Sequence, residues 1–298
     1  MKTINYEIIN ILAYSDVFNY PLTKQEIFER SSFSIFEIEI GLELLVTSSE
    51  IFCINHFYTL RNDPSVIQQR LECNKKAQES LKTARLITKI LSFIPFIRGV
   101  FLSGSIAKDC MNPKSDIDFF IITAPKFLWI ARSFCVLLKK TVLFNSEKYF
   151  CFNYIIDEDH LKIVDESLFT ANEVVTLIPV FGEDVCKRFI DENTWVKHYF
   201  PNFRIGKQKV KMVPKQLFQQ YFETLFDNKL GERLDEWLFE KTLAVNKKRH
   251  PEKYFQNPDI YLNLQRSVAK THTSNLHEKI LEKYRKNLSH YKAKNVVF

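Results

Sequence analysis

Two carboxylates and a glycine–serine pair are the groups in this chain whose types and spacing best suit chemistry. Gly104 and Ser105 follow an apolar segment, and ten residues later Asp116, Ile117 and Asp118 lead into a second apolar segment. Alternate side chains of a strand share a face, so both carboxylates can bind one divalent cation or two together. A Gly-Ser turn that opens a short helix offers backbone N–H groups to a phosphate. Carboxylates that hold metal beside a phosphate site are what transfer from a nucleoside triphosphate requires.

The elements that must position these groups follow from the apolar pattern around them. The pattern predicts α/β or α+β organisation, because helices and strands alternate along this part of the chain. From residue 172 onward it predicts a helix start over Asn172–Val180 and then only helices, which are interrupted at prolines. The predicted elements before that point are a helix over Ser65–Phe93, strands over Arg98–Leu102 and Asp116–Thr123, a helix over Lys126–Leu143 and a strand over Tyr149–Ile156.

The quoted residues resemble the signature of the polymerase-β-type nucleotidyltransferase superfamily. That signature is an apolar residue, Gly-Gly or Gly-Ser, a spacer of about ten residues, and then Asp-apolar-Asp/Glu-apolar. Leu102 and Phe119 fit its flanking apolar positions. The resemblance covers about residues 95–185 and implies an α+β fold, in which a small mixed sheet is flanked by helices. The whole chain is similar to bacterial proteins that join this core to an N-terminal winged-helix-like segment and a helical tail.

The resemblance implies a role for each matching residue. Gly104 and Ser105 would hold the β- and γ-phosphates of a nucleoside triphosphate (NTP). Asp116 and Asp118 would be the catalytic residues and would bind Mg²⁺, or Mn²⁺ in its place. Lys108, on the first turn after the Gly-Ser pair, would contribute to nucleotide binding by neutralising the triphosphate.

Other charged side chains near the motif have competing interpretations. Arg132 could neutralise phosphate in the same way as Lys108. The alternative for Lys108 is an ordinary surface lysine, and the alternative for Arg132 is an ion pair that faces its helix. For a solitary Asp-x-Asp, a solvated turn is the alternative to a metal site. His160, which follows the third strand, is expected to be an ordinary surface histidine.

The third acidic position of the superfamily is where this chain departs from the pattern. Most active members place a third acid on the next strand, and the corresponding position here holds Asn153. An amide oxygen can bind Mg²⁺ but cannot accept a proton as a base. Catalysis could therefore proceed with two acids, or take an acid from elsewhere, such as Glu173, Asp157 or Asp159. The remaining alternative is a nucleotide-binding relic.

Residues 1–63 are predicted to form a winged-helix-like module. Helices are expected over Ile4–Tyr14, Lys24–Arg30 and Ile35–Thr47, and a hairpin over residues 51–60. Thr23 with Glu26 and Ser34 with Glu37 have the capping-box spacing. Residues 1–62 carry four basic and eight acidic side chains, and such an acidic module repels a phosphate backbone. The charges thus disfavour sequence-specific DNA binding and favour a structural or protein-docking role.

The last third of the chain is basic. Residues 201–298 contain 20 Lys and Arg against 10 Asp and Glu. Residues 246–250 and 279–294, the latter with Tyr284 and Tyr291, could track a nucleic-acid backbone and stack bases. A solvated lysine-rich surface, and aromatic side chains that make core contacts, explain the same pattern.

Composition sets the remaining expectations. A chain that is 46% hydrophobic should be globular, and no apolar run approaches a membrane span. The N-terminus lacks a signal-peptide core. The cysteines have no metal-ligand spacing and are expected to be reduced thiols of a cytoplasmic protein. They are Cys53, Cys73, Cys110, Cys135, Cys151 and Cys186.

The sequence therefore predicts three domains and one principal function. The domains are a winged-helix-like module over 1–63, a nucleotidyltransferase core over 64–185 and a basic helical module over 186–298. The function is Mg²⁺-dependent transfer of a nucleoside monophosphate from an NTP to a hydroxyl acceptor, an RNA end, a small molecule or a protein, with release of pyrophosphate. The alternative is a catalytically weakened nucleotide-binding regulator, and a DNA-binding transcription factor is a third hypothesis.

Overall fold

The structure is a computed structural model that describes residues 4–141, 148–204, 206, 210–249, 263–270 and 276–295. For residues 153, 217, 276–277, 290 and 292–295, which lie within these ranges, only the backbone is described. In the part of the chain that is described, no helix is both long and apolar enough to traverse a bilayer.

The N-terminal part consists of three helices and a small antiparallel sheet. The capping boxes are present at Thr23 with Glu26 and at Ser34 with Glu37, and they fix where the second and third helices begin. The strand order is β1-β3-β2, and every predicted helix and strand lies within two residues of its expected position. The elements are α1 Ile4–Asp16, β1 Leu22–Thr23, α2 Lys24–Arg30, α3 Ile35–Thr47, β2 Phe52–Ile54 and β3 Phe57–Thr59.

A mixed six-stranded sheet with helices packed against it forms the α+β core, and its strand order is β7-β4-β5-β6-β9-β8. The strands β4 and β5 are antiparallel, whereas β5 and β6 are parallel and are joined by α6. The elements from α4 to β7 are α4 Ser65–Leu91, β4 Ile97–Ser103, α5 Gly104–Ala107, β5 Asp118–Thr123, α6 Leu128–Thr141, β6 Cys151–Asp157, α7 Leu168–Val175 and β7 Ile178–Phe181.

The helix start predicted over Asn172–Val180 is wrong in both position and extent. The helix α7 begins earlier, where the Ser167 side chain accepts from the N–H of Thr170, and it ends at Val175. The following apolar residues form β7, which pairs antiparallel with β4. Pro179 is compatible with this strand because β7 lies at the edge of the sheet.

The prediction that the C-terminal part contains only helices is also wrong, because β8 and β9 form a hairpin there. Leu264 and Ala269 are buried, and the strands that carry them extend the core sheet through pairing of β9 with β6. The last helix packs against α1 of the N-terminal part. The elements of this region are α8 Glu183–Glu192, a 3₁₀ turn at Thr194–His198, α9 Leu217–Phe226, α10 Lys229–Arg249, β8 Asn263–Leu264, β9 Val268–Lys270 and α11 Leu276–Asn295.

Candidate functional site

The antiparallel pairing of β4 with β5 brings the bend at Gly104 next to Asp118, the first residue of β5. Ser103, the last residue of β4, is the register partner of Asp118. Gly104 follows with a φ of +65°, in the left-handed region that favours glycine. A Cβ atom at Gly104 would lie 2.3 Å from Oδ2 of Asp118, so the carboxylate lies directly against the glycine backbone.

Asp116 lies just before β5, not within it as predicted. The residue between the two acids, Ile117, is buried and holds this segment against the next strand. Its N–H donates to the carbonyl of Lys148 over 3.1 Å, and its carbonyl accepts from the N–H of Cys151 over 3.0 Å. With Ile117 turned inward, Asp116 and Asp118 both remain partly exposed.

The surroundings of Asp118 disfavour its charged form. Burial first, and then the negative charges of Asp116 and Glu173, raise the pKa of this carboxyl to a net value of about 6. A hydrogen bond with the Cys151 thiol and the positive charge of Lys108 act in the opposite direction. A bound cation would therefore compensate a carboxylate charge that is disfavoured mainly by burial and also by its acidic neighbours.

Lys108 and Glu173 form an ion pair beside the two aspartates. Lys108 is the residue that ends α5, and Glu173 lies on α7, which follows β6 in the chain. Both side chains are about one quarter to one third exposed, at 26% and 30%. The cluster thus contains three carboxylates and one ammonium group, with Lys108 engaged by Glu173.

Two of the three acids considered as replacements for the missing third acid lie at the wrong end of β6. Asp157 is the register partner of Thr123, whereas Cys151 is the partner of Asp118. Five residues of strand separate these positions, roughly 16 Å. Asp157 and the neighbouring Asp159 therefore cannot complete the site.

Asn153 lies on β6, but its side chain is outside the described residues. The sequence points to Glu173 as one possible replacement for the third acid, but it does not identify Cys151 as a hydrogen-bond partner of Asp118. The only sequence signal for Cys151 was its place at the start of the third predicted strand.

Arg132 and His160 contact residues other than the two aspartates. The guanidinium of Arg132 lies over the Trp129 ring at 5.5 Å, and burial lowers its pKa. The His160 side chain is exposed, and its Nδ1 lies 2.6 Å from Oδ1 of Asp157. His160 is therefore a surface residue, as predicted.

The two aspartates fit a hard divalent cation by the chemistry of their donors. Mg²⁺ prefers oxygen ligands and is commonly bound through one or two carboxylates together with phosphate oxygens and water. Asp116 and Asp118 supply such oxygens beside the glycine bend. Within the described ranges no group of three or more His, Cys, Asp or Glu residues forms a complete metal site. Further ligands would therefore have to come from substrate, water or a residue outside this set.

The tyrosines of the basic tail contact the N-terminal part. The Tyr284 hydroxyl donates to Oδ1 of Asn10 over 3.1 Å, and the Tyr291 hydroxyl donates to Oε2 of Glu50 over 2.6 Å. These contacts match the interpretation of the two aromatic residues as packing residues.

Comparison with known proteins identified one related family. Residues 84–178, about a third of the chain, match the family model described as nucleotidyltransferase domain. The matched segment includes the glycine bend, both aspartates, Lys108 and Glu173. Searches among curated proteins and among solved structures returned no significant match.

Proposed function

Since residues 84–178 form a nucleotidyltransferase domain of the polymerase-β-type superfamily, we propose that the protein transfers a nucleoside monophosphate from an NTP to a hydroxyl acceptor. The observation that carries the proposal is the contact between the Gly104 backbone and the Asp118 carboxylate. This contact brings the bend that we propose binds phosphate and the acid that we propose binds metal to one point. Transfer from a metal-bound triphosphate needs both there.

Gly104 and Ser105 are our candidates for binding the β- and γ-phosphates. The missing Cβ atom of Gly104 makes room for the Asp118 carboxylate beside the bend, and the Ser105 hydroxyl can donate to a phosphate oxygen. The N–H groups of the first turn of a helix lack intrahelical acceptors and are available to an anion.

Asp116 and Asp118 would hold Mg²⁺, or Mn²⁺ in its place. The ion, when bound, stabilises negative charge on the triphosphate and makes the acceptor hydroxyl more acidic. Asp118 must be deprotonated to bind it, which its pKa of about 6 permits at neutral pH.

The reaction forms one bond and breaks another at the α-phosphorus. The acceptor oxygen bonds to this phosphorus while the bond to the oxygen that bridges to the β-phosphate breaks, and pyrophosphate leaves. The acceptor proton passes to a base. Glu173 is our candidate for that base, because it is the third carboxylate of the cluster and its charge acts on Asp118.

Lys108 would change partner when the triphosphate arrives. In the structure it pairs with Glu173. A phosphate oxygen that bonds to Lys108 would replace the carboxylate of Glu173, since both are anionic acceptors of the same ammonium group. The exchange would leave Glu173 free to accept a proton.

The rest of the chain would supply the acceptor and the regulation. We propose that the acidic winged-helix-like module of residues 1–63 docks a protein, and that the core acts from the cytoplasm on an acceptor that is RNA, a small molecule or a protein. The second candidate function, a weakened nucleotide-binding regulator, is favoured by Asn153 at the third acidic position.

The test is pyrophosphate release from each NTP with Mg²⁺, in the presence of RNA, small-molecule or protein acceptor pools. Asp116→Asn and Asp118→Asn should abolish it, whereas the matched control Glu166→Gln, an exposed carboxylate paired with Lys162, should not. Binding of NTP without turnover in every acceptor pool would favour the regulator. Salt-dependent binding of duplex DNA that survives both aspartate variants would favour a transcription factor.

A further inference from the structure

Helix α9 is held to the core by two polar side chains, together with Phe226 at its C-terminal end, which packs against the core. Gln219 is fully buried, and its Nε2 donates to the carbonyls of Ile94 and Ile97 over 3.0 and 2.6 Å. One turn later, Glu223 accepts from the Arg98 guanidinium over 2.6 Å. The side of α9 that faces the protein therefore needs little hydrophobic surface to stay in place.

The aromatic side of α9 faces away from the protein. The exposed fractions are 66% for Phe218, 66% for Tyr221, 45% for Phe222 and 56% for Leu225. Positions i, i+3, i+4 and i+7 lie on one face of a helix. In an ordinary surface helix this face would be the buried one, so its exposure indicates that it is covered by something else.

The next helix, α10, also has an exposed apolar side, although Leu238, Phe239 and Leu243 on this helix pack against the core. Asp235 faces inward, where Oδ1 accepts from the N–H groups of Trp129 and Ile130. Three apolar side chains, Leu230, Leu234 and Trp237, are exposed on α10. Only two residues separate the helices, so we treat the seven exposed apolar side chains of α9 and α10 as one surface, the α9–α10 face.

The α9–α10 face is as large as one side of a stable interface. A buried aromatic side chain covers about 150–250 Å², so four partly exposed aromatics and three leucines present roughly 800 Å². A standard interface buries about 800 Å² per partner, whereas the largest apolar patch of a typical monomer is about 300–600 Å².

The charges around this face argue against an anionic partner. Residues 217–241 contain three basic and six acidic side chains, although the last third of the chain is strongly basic. This segment therefore lacks the excess of basic side chains to which nucleic acid and anionic lipid bind. Three of the acids are paired within the chain, Glu223 with Arg98, Glu232 with Lys126 and Glu236 with Arg266. What remains outward is a largely apolar surface that does not repel its own copy.

From size, exposure and charge, we infer that the α9–α10 face binds the same face of a second copy of this chain. A two-fold arrangement places the aromatic side chains of one copy against those of the other, and it buries both faces at once. Because the contact closes on itself, it gives a dimer, not a filament. The inference does not depend on the proposed function.

Light scattering coupled to size-exclusion chromatography tests the inference on the full chain. At roughly 50 μM, above the micromolar end of the dissociation constants of interfaces of this size, we expect twice the chain mass of 35.3 kDa. Phe218→Ser combined with Tyr221→Ser should give the monomer mass. Phe36→Ser combined with Leu44→Ser removes two side chains of α3 that are also more than half exposed, and it should leave the dimer intact.

Circular dichroism of each variant separates loss of assembly from loss of folding. If the double variant on α9 loses helix, the single variant Leu225→Asn makes the same comparison and should also give a monomer. A wild-type monomer, a dimer that survives the α9 variants, or a dimer lost equally with the α3 variants would overturn the inference. A wild-type monomer that floats with phosphatidylcholine vesicles would overturn it in favour of a bilayer surface.

Discussion

Ser103 and Asp118 are register partners in the antiparallel pair of β4 and β5. The chain leaves β4 at Ser103 and re-enters the sheet at Asp118, so the residues of the intervening loop begin and end at one point. This register places the bend at Gly104 against the carboxylate. The proposed site therefore depends on the pairing of two strands, and changes at the bend should be felt at the acid.

Gly104→Ala should impair nucleotide binding by displacing Asp118. The added Cβ would lie 2.3 Å from Oδ2 of Asp118, too close for the carboxylate to stay in position. The φ of +65° adds strain of roughly 1–2 kcal/mol for an L residue. We expect a lower melting temperature and a loss of NTP binding, measured by thermal unfolding and by isothermal titration calorimetry.

Gly206→Ala is the matched control for this substitution. Gly206 has a φ of +75°, but among the described residues the nearest atom to an added Cβ is Cδ1 of Ile190, 4.0 Å away. The Gly206→Ala variant should have similar backbone strain but no effect on Asp118. Its stability should therefore fall, while its NTP binding stays at the wild-type level. Equal loss of NTP binding in both variants would show that strain, not the contact with Asp118, is responsible.

The stability of the metal-free protein should fall between about pH 4 and pH 6. Asp118 has a pKa of about 6 in the folded chain against an ordinary value of 3.8, so the folded state binds more protons in this interval. A raised acid pKa gives stability that is present below the unfolded pKa and is lost as pH rises through the folded pKa. A shift of two units corresponds to about 2–3 kcal/mol. Asp118→Asn should flatten this part of the pH profile, measured by urea unfolding in EDTA.

Mg²⁺ should reverse the effect above pH 6. Deprotonated Asp118 can bind the ion, so added Mg²⁺ should raise the melting temperature at pH 7.5 and much less at pH 5. Asp235→Asn is the control, because Asp235 also has a pKa of about 6 but lies in another cluster. That variant should flatten the metal-free profile and keep the response to Mg²⁺. A response to Mg²⁺ that is the same at both pH values would contradict the role of Asp118.

Glu173→Gln and Lys108→Met should have different kinetic effects. If Glu173 accepts the acceptor proton, Glu173→Gln lowers kcat by about 10²–10⁴-fold and changes its pH dependence, with little effect on the KM for NTP. Lys108→Met removes a charge that would bind the triphosphate, so it should raise that KM. Steady-state kinetics from pH 5 to pH 9 make the comparison. A Glu173→Gln variant with wild-type kcat and pH profile would exclude Glu173 as the base.

The sequence predicts local elements better than it predicts which of them meet. The helices near Thr23 and Ser34 were placed correctly because their start signals are local hydrogen bonds. The strand β9 was missed because it is short and is stabilised by pairing with β6, more than 100 residues earlier. Lys108 and Glu173 are 65 residues apart, and no local pattern connects them. Periodicity likewise predicts an apolar and a polar face for α9. It is the contacts of Gln219 with Ile94 and of Glu223 with Arg98 that show the polar face turned inward.

Asp235→Ala should destabilise the protein strongly, whereas Asp235→Asn should not. Oδ1 of Asp235 accepts from the N–H groups of Trp129 and Ile130 at the start of α6, over 2.7 and 2.8 Å. Alanine leaves these buried donors without a partner, at a cost of roughly 2–3 kcal/mol. Asparagine keeps an acceptor and removes a charge whose pKa burial raises to about 6, so its stability at pH 7 should equal or exceed that of the wild type. Urea unfolding at pH 7 measures both, and the exposed neighbour Glu236→Ala should stay within about 0.5 kcal/mol. Equal losses for Asn and Ala would mean that the carboxylate charge, not its acceptor oxygen, holds α10 to α6.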